Sequence, residues 1–175
     1  SSYMTETTAS DQPKIVSSGS TILENGKPSI EPVSGQNLSA SLSSTITSVF
    51  QVDTRGNTTS SYYIPARGGS NGLYYWYQVR NSTGTSLGAG MGTPDFYVND
   101  SLFTGTTQGA AWTFDTGSQR ILTLLDASLA WGSYDLNYGP ANTPLAFQER
   151  ILYASDQTSN RTGINDNINA FYSIY

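Results

Sequence analysis

Between positions 38 and 52 the chain alternates. Leu38, Ala40, Leu42, Ile46, Phe50 and Val52 share one parity, interrupted by Ser44 and Ser48. The opposite parity reads Ser39, Ser41, Ser43, Thr45, Thr47, Val49 and Gln51. A period of two puts apolar side chains on one face of a β-strand and hydroxyls on the other, whereas a helix would scatter the set around its circumference. The pattern predicts a single long strand, bent at a bulge, with one face in the core.

The rest of the chain reads in shorter β segments. Thr21-Ile22-Leu23-Glu24, then Asn25-Gly26, then Lys27-Pro28-Ser29-Ile30 has a hairpin signature, because Asn-Gly supplies the positive φ angles of a type I′ turn. Pro28 and Pro32 cannot donate to a ladder, so the return strand is expected at an edge or only partly paired. Residues 58–64 favour β, with Pro65 as the expected stop. Residues 73–80 are the most aromatic stretch and predict a central strand. Residues 110–114 and 120–125 read as two more strands, residues 145–154 admit a short helix, and residues 168–175 read as a final strand docked on the body. The first thirteen residues hold few apolar groups and predict an extended arm (residues 1–13) ahead of a single domain (residues 14–175). Short strands punctuated by Gly, Asn and Pro point to an all-β fold, an antiparallel β-sandwich or jelly roll with little or no helix.

Composition removes whole classes of chemistry. The 175 residues include no His and no Cys, which excludes Ser-His-Asp triads, imidazole and thiolate zinc sites, thiol nucleophiles and disulfides. A net charge of −5, with eight scattered basic residues, argues against nucleic acid as a partner. No apolar run approaches the ~20 residues that cross a bilayer as a helix, so membrane insertion is not expected. Asn165-Asp166-Asn167 offers oxygen ligands of the kind calcium takes, but a single carboxylate among amides reads first as turn chemistry; neither cofactor nor metal is expected.

The sharpest motif is Phe114-Asp115-Thr116-Gly117-Ser118, which resembles the active-site signature of pepsin-like aspartic peptidases. The resemblance implies a strand running into a tight turn, with Asp115 as one of two carboxylates sharing a proton and Thr116 and Gly117 shaping the loop around it. The chain holds one such motif, so the pair would require a homodimer. An Asp-x-Gly turn between two strands is the alternative. The four glutamates and nine aspartates show no spacing that pairs two of them for glycoside hydrolysis.

Aromatic residues are the other lead. Twelve tyrosines and three tryptophans join an aliphatic-poor chain whose Ser, Thr, Gly and Asn fill 75 positions. Tyr62, Tyr63, Tyr75, Trp76 and Tyr77, with Asn71 nearby, are the candidate ligand-binding residues, since rings stack on sugar CH faces while amides read hydroxyls. The coat has only two lysines, Lys14 and Lys27, and five N-x-Ser/Thr sequons, at Asn37, Asn57, Asn81, Asn99 and Asn160. In general character the chain is similar to protruding capsid domains, viral fibre heads, adhesins and pilus-like subunits. The sequence therefore predicts a non-enzymatic protein of the extracellular space or a virion surface. It is expected to self-associate as a trimer or larger assembly and to present a receptor- or glycan-binding face. A monomeric carbohydrate-binding module and a homodimeric peptidase acting through Asp115 are the alternatives.

Overall fold

A computed structural model of the chain describes residues 7–31, 39–41, 44–54, 61–67, 74–80, 94–114, 119–128, 133–135 and 146–175. The strands in chain order are β1 (Val16–Ser17), β2 (Ser20–Thr21), β3 (Leu23–Glu24), β4 (Lys27–Pro28), β5 (Ser39–Ser41), β6 (Ser48–Thr54), β7 (Ser61–Arg67), β8 (Tyr74–Arg80), β9 (Asp95–Val98) and β10 (Ser101–Leu102). Helix α1 (Gln108–Phe114) follows, then β11 (Gln119–Leu125), β12 (Ser133–Asp135), β13 (Ala146–Tyr153) and helix α2 (Arg161–Tyr172). The strand pairings are antiparallel, and the all-β character expected from the sequence holds.

The framework is a five-stranded sheet in the order β10-β9-β11-β6-β13. Strands β11 and β6 lie inside it, and both are buried along nearly their whole length on both faces. This corrects the expectation of one long strand with a hydroxylated outer face. The alternating segment is divided: β5 pairs with β12, while β6 joins the main sheet. Val49 and Gln51, assigned by parity to the outer face, are buried because a second layer covers that side too.

Four further elements depart from the sequence reading. β7 runs through Pro65, which is paired in register with Trp76; a two-stranded ribbon leaves one side where no N–H is required. β8 pairs with β7 alone among the described residues, so the centre belongs to β11 and β6. Residues 108–114 form a helix rather than a strand, capped where the Thr107 hydroxyl accepts the Ala110 amide at 3.2 Å. Residues 145–154, whose pattern admits a short helix, carry strand β13 instead.

The largest departure is α2, which replaces the expected final strand and makes the fold less purely β than predicted. Ile164, Ile168 and Tyr172 recur every four residues and form one stripe of the helix. Positions 164, 168 and 172 satisfy a period of two equally well, and Asp166 and Ala170, of the same parity but exposed, separate the readings. Docking of this C-terminal segment, by contrast, is as expected, since Ile168 and Tyr172 are buried. The covering layer here is a helix, not the second sheet of a sandwich.

Register assigns the two faces of the main sheet. Cross-strand partners share a face, so Phe50, Val52, Ile121, Thr123, Leu125, Tyr97, Ile151 and Tyr153 lie on the side of α2. Val49, Gln51, Asp53, Arg120, Leu122, Leu124, Phe96, Val98 and Arg150 lie on the other. From that face Phe96 contacts Phe103 at 5.9 Å, and Phe103 contacts Phe114 of α1 at 5.3 Å between ring centroids.

Residues 14–31 form a separate meander. Ser18-Gly19 and Asn25-Gly26 both take positive φ and close two-residue type I′ hairpins, as the Asn-Gly signature predicts. Asn99-Asp100 does the same between β9 and β10. The meander is fastened to the body by backbone bonds between Ile30 and Phe147 and by a chain of amides. In that chain Asn25 donates to Gln119, Gln119 to Gln148, and Gln148 to the Glu24 and Lys27 carbonyls. Of the expected arm, residues 7–13 are described and carry a 3-10 turn at Ala9–Asp11.

Candidate functional site

A surface groove of about 430 Å³ lies between β13 and α2. One wall is Ile151 and Tyr153, the other Asn160, Gly163, Ile164 and Asn167, with Ser159 and Ile168 completing it. A register shift between Phe147 and Glu149 lets β13 absorb Gln148 and turn Glu149, Ile151 and Tyr153 toward α2. The Tyr153 ring stands edge-on to the buried Phe50 ring, centroids 5.9 Å apart, which fixes it from beneath.

The opposite wall is set by how the chain enters α2. The Ser48 hydroxyl donates to the Ser155 carbonyl at 3.4 Å and accepts the Gln157 amide at 3.1 Å, tying the connection to β6. Asp156 accepts both the Thr158 hydroxyl (2.6 Å) and the Thr158 amide (2.9 Å), and these bonds, the hydroxyl first, hold its carboxyl below the usual range. Asn160 then donates to Gln157 at 2.9 Å.

The helix itself is latched. Fully buried Asn165 accepts from the Thr123 hydroxyl at 3.1 Å and donates to Asp100 at 2.9 Å. Arg161 pairs with the same Asp100 and stacks 4.3 Å above the Tyr97 ring. At the far end Ser173 takes left-handed φ, while the Asn169 side chain accepts the Ile174 and Tyr175 amides at 2.8 and 3.0 Å. Tyr172 points back to the sheet, where burial, and then the charge and hydrogen bond of Glu149, push its phenol up to about 12.

The lining decides the chemistry. It offers a phenol ring, isoleucine side chains, two carboxamides and a serine hydroxyl, and no carboxylate, ammonium or guanidinium is among its lining residues. Such a surface stacks apolar CH groups and exchanges hydrogen bonds in both directions with a neutral, hydroxyl-bearing ligand. It presents no paired acid and base. Gly163 widens it, since a Cβ there would meet nothing within 4 Å.

The other face of the sheet holds the charged cluster. Arg120 and Asp53, both 0% exposed, pair at 2.8 Å. Gln51 donates to Asp53 and accepts from Arg150, Nε at 2.8 Å. Desolvation pulls the Arg150 guanidinium below its ordinary value, and the Asp53 charge pulls it back. Asp53, Arg120 and Gln51 are closed to solvent and act in holding the fold.

The residues singled out from sequence fall elsewhere. Tyr62, Tyr63, Tyr75, Trp76 and Tyr77 lie in one hairpin, with Tyr62 opposite Val79, Tyr63 opposite Gln78, Tyr75 opposite Ala66, Trp76 opposite Pro65 and Tyr77 opposite Ile64. Asn71, Asp115, Thr116 and Gly117 lie outside the described residues. The segment leading into Asp115 is α1, however, so the strand-to-turn setting implied by the peptidase resemblance is replaced by a helix end. Asn165, Asp166 and Asn167 are separated by the helix: the first is buried against Asp100 and Thr123, while Asp166 is exposed and Asn167 lines the groove. Among the described residues no three Asp or Glu side chains gather as a metal site. Among them, too, no helix is long and apolar enough to cross a membrane.

The groove was invisible to the sequence reading because half of it is α2. The pattern that would have revealed it is Asn160, Gly163, Ile164, Asn167 and Ile168, spaced three and four apart along one helical face. No protein-family model, curated protein or solved structure matches this chain.

Proposed function

We propose that this chain is a non-enzymatic exterior protein, of the kind that forms virion protrusions, fibre heads, adhesins or pilus-like subunits. In this reading it assembles with copies of itself and presents a receptor face to neutral glycans. The observation that carries the binding part is the uncharged groove between β13 and α2, where Tyr153 supplies a ring and Asn160 and Asn167 supply amides. Its volume of about 430 Å³ falls in the range of small-ligand sites and suits one or two sugar rings. A lysine-poor, hydroxyl-rich coat supports an exterior setting.

An array of neutral glycans tests it. The wild-type protein is expected to bind a restricted set of them, and Asn167→Ala, an exposed change, is expected to weaken that binding about tenfold, the loss of one to two hydrogen bonds. A protein silent on the whole array, or binding unchanged in Asn167→Ala, contradicts the assignment.

A further inference from the structure

We infer that Asn160 is an N-glycosylation site and that the first sugar it carries occupies the groove between β13 and α2. The inference rests on the exterior setting proposed above and names how the groove is regulated: a glycan on Asn160 closes it to ligands from outside.

Of the five N-x-Ser/Thr sequons, those at Asn99 and Asn160 fall among the described residues, and their settings differ. Asn99 is half-buried and takes the left-handed φ of its turn, which Asn tolerates better than most residues. Its side-chain oxygen accepts the Ile121 amide at 2.9 Å, and its own amide donates to the Ile121 carbonyl. Turn geometry and strand pairing account for an asparagine there. Asn160 is exposed, and it stands at the N-cap of α2 without making the capping bond for which Asn is favoured at that position. Thr162 is exposed in the first turn, where Thr is a poor helix former, and its hydroxyl meets Arg161 at 3.5 Å, beyond ordinary hydrogen-bond length. The helix gains little from either residue, whereas Asn followed two positions later by Thr is what the glycosylation reaction requires.

That reaction transfers an oligosaccharide from a polyprenyl diphosphate carrier. The Asn160 Nδ2 attacks the anomeric carbon of the first sugar. The new N–C bond forms as the bond from that carbon to the diphosphate oxygen breaks; the diphosphate leaves with the electron pair, and one amide proton passes to solvent. A carboxamide has two amide hydrogens, and the product keeps one of them. Asn160 donates one, to Gln157 at 2.9 Å, so this bond survives the modification.

Placement follows from the groove. Asn160 lines one wall, with Ile151 and Tyr153 on the other, so a sugar on Nδ2 starts inside the cleft. Its CH face can stack on the Tyr153 ring while its hydroxyls meet Asn167 and Ser159. The uncharged lining suits a neutral sugar, and the open space at Gly163 admits it. Tethering also raises its effective concentration to about the millimolar range, which lets even weak contacts hold it against a ligand in solution.

The chain is directed through a eukaryotic secretory pathway, and the peptide carrying Asn160 is analysed by mass spectrometry before and after enzymatic deglycosylation. Wild type and Thr162→Ser are expected to carry a glycan at Asn160. Thr162→Ala, which keeps the Asn160 carboxamide in the groove, is expected to carry none there. An unmodified Asn160 in secreted wild type overturns the site. Placement is read by NMR: cross-relaxation between the first sugar and the Tyr153 ring is expected, and its absence in glycosylated protein overturns the placement. On the array of neutral glycans, Thr162→Ala is expected to bind about tenfold more tightly than glycosylated wild type. Equal binding by the two overturns the regulation. A Thr162→Ala protein that is folded by circular dichroism yet silent on the array contradicts the receptor reading instead, and the mass and NMR results still decide the site and its placement.

Discussion

The two faces of the central sheet are stabilised by opposite means. Under α2 the packing is apolar, with Phe50, Val52, Ile121 and Leu125 against Ile168 and Tyr172, and buried Asn165 helps latch the helix through Thr123 and Asp100. On the reverse face an aliphatic cluster surrounds Asp53, Arg120 and Gln51, polar groups taken wholly out of water. Apolar packing tolerates loss of a methyl group in proportion to the cavity it leaves, whereas a buried charge depends on its partner. The α2 face can therefore carry a groove open to solvent, and the charged face is closed. The groove proposed to bind glycans sits on the side whose packing degrades gradually.

The largest expected effect breaks the charged face. Arg120→Met leaves Asp53 buried without this partner and is expected to cost about 3–5 kcal/mol in urea unfolding. The double change Asp53→Leu with Arg120→Met is expected to recover most of that loss. A single-variant cost below about 1 kcal/mol would mean that water reaches the pair.

Next, Ile168→Ala on the α2 face is expected to cost about 2–4 kcal/mol and to loosen the helix without unfolding the sheet. Hydrogen exchange separates the outcomes: amides of α2 should exchange faster while those of β11 keep their protection. Equal acceleration in both would contradict the view of α2 as a docked layer. Asn165→Ala is smaller, about 1–3 kcal/mol, from leaving the Thr123 hydroxyl and one Asp100 bond unmade.

The smallest effect is a pH dependence. Tyr172 has its phenol raised from 10 to about 12, so the native state keeps a proton that the unfolded chain releases. Its contribution is complete below pH 10 and is lost as pH rises from 10 to about 12. Tyr172→Phe is expected to flatten that alkaline decline relative to wild type. Parallel curves for the two proteins would place Tyr172 in water, away from Glu149.

How much was legible in the sequence follows the same division. Turn chemistry was local and readable, and Asn25-Gly26 closes the hairpin its residues require. Residues 120–125 were readable as a strand because Ile, Leu and Thr suit any half- or fully-buried strand position. Burial of both faces was not, since parity separates two faces without saying that each is covered. Asp53 and Arg120, 67 residues apart in sequence, meet only through the register of β6 with β11. The groove was not legible for a further reason: Ile168 and Tyr172 fit both strand and helix periods, so their spacing alone does not reveal α2. The aromatic residues of β7 and β8, the strongest compositional signal, proved to lie in a ribbon apart from the main sheet.

Binding to the groove is most directly tested by filling it. Gly163 sits in ordinary helical conformation with open space beyond its Cα, so Gly163→Leu removes a helix-weakening glycine and places a side chain in the cleft. The account predicts a melting temperature equal to or above that of wild type, together with at least a tenfold loss of affinity for the glycan selected on the array. Unchanged affinity in a protein as stable as wild type would contradict it.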